Sequence, residues 1–209
     1  MNKTAVVLMF VLTGYFPFNL IAQPLVASSI TFKTDTVKDL QLTEEQKADF
    51  KDKALRKTKA FSNYISIASD KSKKEIQKNK AIDLAVKLFM NDSNMIEVSS
   101  LYNPTKRYKI RAYLNKLKLL PYVIVKVSWY DIFFASDFVR RPDGRYEAVA
   151  TIYQRFEGVN NEFGHYIDIT KKNIKIIIEQ REILTGDITE LKWEVFLGDI
   201  KVEETKFGK

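Results

Sequence analysis

The sequence predicts an α+β fold in which N-terminal helices pack on a curved antiparallel sheet of four long strands plus one short strand. The hydrophobic period is close to 3.6 in three segments, at about 44–69, 76–89 and 110–117, and it is two after Pro121. Helices that come first and antiparallel strands that follow are typical of α+β domains. A chain of 209 residues can form one such domain with a core that needs no disulfide.

The composition excludes several classes of chemistry. The chain has no Cys and one His. The lack of Cys excludes disulfides, thiolate metal sites, thiol catalysis and a lipidated N-terminal Cys, and the single His excludes most His-dependent sites. The sequence also lacks a glycine-rich phosphate loop and a serine-nucleophile motif. We therefore expect no cofactor and no metal ion.

The first 22 residues have the pattern of a secretory signal peptide. Lys3 gives a positive start, and the apolar run that follows is shorter than the roughly 20 residues of a membrane-spanning helix. Cleavage is expected between Ala22 and Gln23, and an uncleaved anchor or a buried helix is the alternative. We expect an exported protein, periplasmic or secreted, that is not a lipoprotein and has no transmembrane span after cleavage. Residues 23–42 are predicted to be a tail or an edge segment.

Two capping-box patterns predict the first two helices. Thr43 with Gln46 precedes a helix at about 44–69, and Ser72 with Glu75 precedes a second helix. The apolar stripe of this second helix is expected to be Ile76, Ala81, Leu84, Ala85, Leu88 and Phe89.

The next segment predicts a short strand and a short helix. Turn residues at 91–94 precede a strand at 95–101, and Asn103-Pro104 is expected to end that strand. Apolar residues at helical spacing over 110–117 predict the third helix.

Asp143-Gly144 predicts a hairpin with a two-residue turn, in which Pro142 pairs with Arg145. The apolar residues are odd-numbered before the turn and even-numbered after it. This pairing places both apolar sets on the same face, which supports the hairpin.

The same pairing predicts specific neighbours in the two strands. Phe133 would lie opposite Gln154, and Asp131 would lie opposite Phe156. Two further strands are predicted at about 165–180 and 189–203.

One domain over residues 43–203 follows from these elements, with a frayed tail at 204–209. The order of the elements over this range resembles the nuclear-transport-factor-2-like, or polyketide-cyclase-like, cone-fold superfamily. The segment from Tyr146 to Lys171 is also similar to small exported bacterial proteins. The superfamily resemblance implies a cone with an apolar pocket between sheet and helices, and often a homodimer through the open sheet face.

Asp131 and Gln154 are the candidate catalytic residues. Asp131 falls on the apolar face of its predicted strand, where burial would raise the pKa of the carboxyl and suit it to act as a base. Alternatively, both side chains lie at the cone mouth and bind backbone or water. His165 is expected at a turn, and Asp168 and Thr170 fit a bulge or turn as well as they fit a site.

Five aromatic residues are predicted to line the cone, and we expect them to fill it as a core. They are Trp129, Phe133, Tyr146, Phe156 and Trp193. The opposite face of the sheet is unusually apolar and is interpreted as a dimer face or as a face covered by the N-terminal segment. Its residues are Tyr122, Ile124, Tyr130, Ile132, Phe134, Val149, Thr151 and Tyr153.

These observations favour an exported, non-catalytic binding or assembly module of the bacterial cell envelope, for an unknown protein partner or a small apolar ligand. The alternatives are a cofactor-free lyase or isomerase with a carboxylate in the pocket, and a structural envelope protein held by its basic surface. The formal charge of +8 comes partly from lysine runs that are mixed with acids, so we expect solvated helix faces and no nucleic-acid partner.

Overall fold

The fold is α+β, with three helices and an open, mostly antiparallel sheet of seven strands. The computed structural model describes residues 41–162, 164–185 and 188–208, so the predicted signal peptide and residues 23–40 lie outside the described residues. The helices are α1 (Glu44–Ser69), α2 (Glu75–Val86) and α3 (Ile110–Lys118). The strands are β1 (Met95–Ser100), β2 (Asn103–Lys109), β3 (Ile124–Phe134), β4 (Val139–Arg140), β5 (Tyr146–Asn160), β6 (Gly164–Thr185) and β7 (Ile188–Phe207).

The bounds and the capping box predicted for helix α1 are confirmed. The Gln46 backbone N–H donates to Thr43 Oγ1 at 3.2 Å, and the Thr43 N–H donates to Gln46 Oε1 at 2.9 Å. These two bonds satisfy donors that the first turn of a helix leaves without intrahelical partners. The buried side of the helix, which includes Phe61 and Ile65, packs into the core.

The predicted cap and stripe of α2 are partly wrong. The helix begins at Glu75, and it is the Lys74 N–H that donates to Gln77 Oε1, at 3.1 Å. Ser72 instead donates its hydroxyl to Asp70 Oδ1 at 2.7 Å, because the carboxylate at the end of α1 is the nearer acceptor. Of the predicted stripe, Ile76 and Leu84 are exposed, at 76% and 36%, and Ile82 is buried in the core. No helix in the described part of the chain is long and apolar enough to span a membrane.

The strands follow the order β2-β1-β7-β6-β5-β3, with β4 paired to β5. Strand β1 is parallel to β7, and the other pairs are antiparallel. The predicted count of five strands missed β2 and β4. Pro104 was expected to end a strand, but it lies in β2 at the edge of the sheet, where a residue without an N–H is tolerated.

The turn at Asp143-Gly144 joins antiparallel strands, but it is longer by one residue than predicted. The Arg141 N–H donates to the Arg145 carbonyl at 2.7 Å, so the loop consists of residues 142–144. Gly144 has φ +83°, which is the left-handed conformation that a three-residue hairpin loop requires.

The observed register of β3 differs from the predicted one, and a bulge at Asp131 contributes one position of the difference. Trp129 pairs with Gln154 and Val127 pairs with Phe156, so the predicted opposition of Phe133 to Gln154 and of Asp131 to Phe156 is wrong. The displacement is four positions, an even number, and it therefore preserves the predicted core faces before the bulge.

The bulge also removes residues from the predicted apolar outer face. Past Asp131, whose φ is 49°, Ile132 and Phe134 pack against the core. Tyr122 packs on Phe156 with ring centroids 5.6 Å apart, which is likewise the inner side. Tyr130 and Tyr153 remain on the outer face as a stacked, half-buried pair. That face is therefore less apolar than the sequence predicted.

Strand β7 extends through most of the segment predicted as a frayed tail. Residues 204–207 pair with residues 168–171 of β6, and Phe207 lies opposite Asp168. The end of β7 therefore borders the region of the sheet that carries the candidate site.

Candidate functional site

A cavity of about 1090 Å³ lies at one end of the sheet and opens to solvent. Its walls come from the β1–β2 hairpin, from α3 with the segment that follows it, and from the adjoining ends of β5 and β6. The lining side chains with a role below are Tyr102, Tyr108, Tyr113, Tyr122, Gln154, Phe156, Tyr166 and Asp168.

The inner face of β6 changes from apolar to polar toward this cavity. Ile174, Ile176 and Ile178 are fully buried, and the same alternation places Asp168, Thr170 and Lys172 on the same face. Asp168 is 3% exposed, and the other two polar residues are fully buried. Residues two apart in a strand share a face, so these polar residues lie on the face that the isoleucines bury in the core.

Asp168 is the carboxylate at the wall of the cavity. Tyr166 Oη donates to Asp168 Oδ2 at 2.8 Å and accepts from the Leu101 N–H at 3.3 Å. Burial raises the pKa of Asp168, and the bond from Tyr166 and the charge of Lys172 oppose that rise. Burial and the neighbouring carboxylate raise the pKa of Tyr166 to about 12.

Lys172 lies deeper, behind Asp168. Its Nζ donates to the Glu97 carbonyl at 3.1 Å and lies 6.0 Å from the centroid of the Tyr113 ring. Burial lowers the pKa of Lys172 to about 8, although the carboxylates of Asp168 and Glu97 favour its charged form. Burial raises the pKa of Tyr113 as well.

Four aromatic rings form a continuous row along the cavity. Tyr122 and Phe156 have centroids 5.6 Å apart, Phe156 and Tyr166 6.0 Å, and Tyr166 and Tyr102 5.9 Å. These are distances at which aromatic rings attract each other. Tyr166 therefore belongs to the ring row and also carries the hydroxyl bound to Asp168.

The opposite end of the interior is filled, whereas the sequence predicted that aromatic residues fill all of it. Trp129 packs on Phe61 with centroids 5.1 Å apart, and its Nε1 donates to Gln154 Oε1 at 3.1 Å. Tyr146 and Trp193 pack edge to face at 5.7 Å. The interior is therefore a core at one end and a cavity at the other.

The predicted site residues divide between these regions. Gln154 and Phe156 line the cavity, whereas Trp129, Tyr146 and Trp193 belong to the packed end. Phe133 is 47% exposed. Asp131 is exposed at its bulge while Gln154 is buried, so the structure does not bring the two candidate catalytic side chains together in one pocket.

Sequence reasoning missed Asp168, Tyr166 and Lys172 as a group. They could have been found from the alternation of residues along β6, because every second residue from Ile174 back to Asp168 belongs to the same face. A polar residue on the buried face of a strand is more informative than an exposed one, because burial without a partner is costly.

The described residues contain no group of three or more acidic or His side chains that could hold a metal ion. The cavity instead offers a carboxylate removed from water, a phenol and a row of rings. Such a set can bind a positively charged or hydrogen-bond-donating group, or can accept a proton. Comparison with known proteins gives no match to this chain among family models, curated proteins or solved structures.

Proposed function

We propose that this chain is an exported binding module with a cone-like fold, and that its cavity beside Asp168 holds a small, largely apolar ligand. The observation that carries the proposal is the cavity itself, about 1090 Å³ and bordered by a row of four aromatic rings. Ligand pockets are typically concave and apolar with a few placed polar groups, which Asp168 and Tyr166 supply here.

Two of the register shifts between neighbouring strands support the cone-like form of the sheet. One is the bulge at Asp131 in β3, and the other lies in β7, where Gly198 and Asp199 stand opposite Lys175 alone. Bulges bend a strand and increase its twist, so two of them favour a sheet that curves around the helices.

A neutral fluorescent probe tests the binding proposal. N-phenyl-1-naphthylamine gains fluorescence when it leaves water, and we expect saturable binding to the full chain after removal of any signal peptide. Val98→Trp, on the cavity wall, should abolish the signal by filling the space. Val139→Trp is the matched control, because Val139 is 62% exposed and lies outside the cavity. Equal loss in both variants, or no binding by the wild type, would refute the proposal.

Export from a bacterial cell is the second part of the proposal. Its support is the sequence of Lys3, the apolar run and Ala22. N-terminal sequencing of the protein from its host should begin near Gln23. A soluble protein that retains Met1 would contradict export.

A cofactor-free lyase or isomerase is a second candidate function, with Asp168 in the role predicted for Asp131. The observation that favours it is a buried carboxyl of raised pKa, bound to a phenol, at the wall of an open cavity. The test is hydrogen–deuterium exchange α to the carbonyl of 1-tetralone, followed by NMR. Exchange accelerated by the wild type and by Asp131→Asn, but not by Asp168→Asn, would support catalysis. If the wild type does not accelerate the exchange, the catalytic candidate is refuted and the binding module remains as the proposed function.

A further inference from the structure

We propose that the cavity selects an organic cation, an ammonium group on an apolar body, held by Asp168 and the neighbouring aromatic rings. This inference rests on the proposed binding function and adds the chemical class of the ligand. Its basis is a carboxylate and a row of rings that converge on the same cavity.

Asp168 has one oxygen free for a ligand. Tyr166 donates to Oδ2, and Oδ1 accepts no hydrogen bond from the described residues. No buried side-chain oxygen or nitrogen in the described part of the chain lacks a partner, so Oδ1 is in contact with the space of the cavity. A carboxylate removed from bulk water is stabilised by an opposite charge, and a cation in the cavity would supply it.

Lys172 does not supply the positive charge beside Oδ1 of Asp168. Its Nζ donates to the Glu97 carbonyl, and among the described residues it forms neither a hydrogen bond nor an ion pair with Asp168. It also does not line the cavity. The lysine therefore acts on Asp168 only through longer-range charge, and the free side of the carboxylate stays open to a ligand.

The rings beside Asp168 suit the same ligand. A cation within about 6 Å of a ring centroid is attracted by the negative face of the ring, and this attraction increases when water is excluded. Tyr166 and Phe156 adjoin the carboxylate, and Tyr102 and Tyr122 extend the row on either side. One ring of the wall already holds an ammonium group, since Lys116 Nζ lies 5.1 Å from the Tyr108 centroid.

The competing ligand class is an anion. Lys106 and Lys116 also border the cavity, and they could attract a carboxylate. Lys106 and Lys116 are both exposed, however, whereas Asp168 is 3% exposed. Charges in contact with water contribute little to binding, so the buried carboxylate decides the preference.

The experiment compares choline with its neutral carbon isostere, 3,3-dimethylbutan-1-ol, and with hexanoate as the anion. Each is titrated into the full chain, and displacement of N-phenyl-1-naphthylamine and saturation-transfer NMR report binding. We expect choline to bind about tenfold more tightly than the isostere, because only the cation gains the attraction of carboxylate and rings. In Asp168→Asn the preference for choline should fall to the smaller one that the rings alone provide, and Asp131→Asn, an exposed change of the same kind, should keep the wild-type ratio.

Phe156→Leu provides a second variant if Asp168→Asn fails to fold. It should reduce the preference for choline over the isostere while the neutral dye still binds. Dye binding with equal or stronger binding of the isostere or of hexanoate would overturn the cation inference and leave the binding function intact. Failure of the dye and of all three compounds to bind would overturn both.

Discussion

Replacing Lys172 by Met should change how stability depends on pH. The ordinary lysine pKa of 10.5 falls to about 8 in the folded chain because the amine is buried. Between these values the unfolded chain keeps a proton that the folded chain releases, so the free energy of unfolding rises with pH over this window. Below the folded pKa both states are protonated, and the folded chain bears the full cost of burying an ammonium group.

The magnitude follows from the shift. One pKa unit corresponds to about 1.4 kcal/mol, and the wild type should gain about 2 kcal/mol relative to Lys172→Met between pH 8 and pH 10. Urea unfolding of both proteins at intervals across this window measures the difference. The window lies above the pH at which carboxyl groups ordinarily titrate, so Asp168 adds little to the slope.

Lys175→Met is the matched control for this prediction. Lys175 is on the same strand but exposed, where it lies 3.4 Å from Glu147. Its replacement should leave the pH profile of the wild type unchanged. A constant difference between wild type and Lys172→Met from pH 8 to pH 10 would refute the account of Lys172 as a buried, perturbed amine.

Three further predictions concern stability. Gly144→Val should lower the free energy of unfolding by about 1 kcal/mol or more because φ of Gly144 is positive, and Gly144→Asn should lower it less because Asn tolerates that conformation. Equal losses of the two variants in urea unfolding would contradict the loop geometry. Gln154→Leu should cost about 1–3 kcal/mol by leaving the buried Trp129 indole N–H without its acceptor, and an unchanged thermal midpoint would argue against that bond. Thr43→Ala should lower the free energy of unfolding by about 1 kcal/mol through loss of the helix cap, whereas Thr43→Ser should retain the cap and the stability. Urea unfolding measures both variants.

Local pattern was enough to predict much of the fold. The capping box of Thr43 and the helical period after it predicted α1 with its observed bounds. The period of two predicted which face is buried in β5 and in β3 up to Tyr130, because a register error of an even number of residues does not exchange the faces.

The errors came from backbone features that side-chain patterns do not encode. The polarity of Asp131 does not indicate a bulge, and this bulge shifts the pairing of β3 by one position, so that Ile132 and Phe134 pack against the core. Strand β2 was missed because it is polar and exposed, and therefore lacks the alternation that marks a half-buried strand.

The candidate site depended on the same features. Asp131 was chosen for its position in an assumed register, and the bulge exposes it. Asp168 was placed on a strand but not assigned to the buried face. Its role also requires Tyr166, Leu101 and the end of β7, and contacts between such distant parts of the chain follow from the topology and not from spacing.

Backbone amide NMR during titration with neutral 2-naphthol tests whether the cavity beside Asp168 is a binding site. We expect the largest chemical-shift changes at Phe156, Tyr166 and Asp168, around the cavity. The amides of Tyr130 and Tyr153, on the outer face, should not move. Changes centred on the outer face, or saturable binding that leaves the cavity amides unchanged, would contradict the claim.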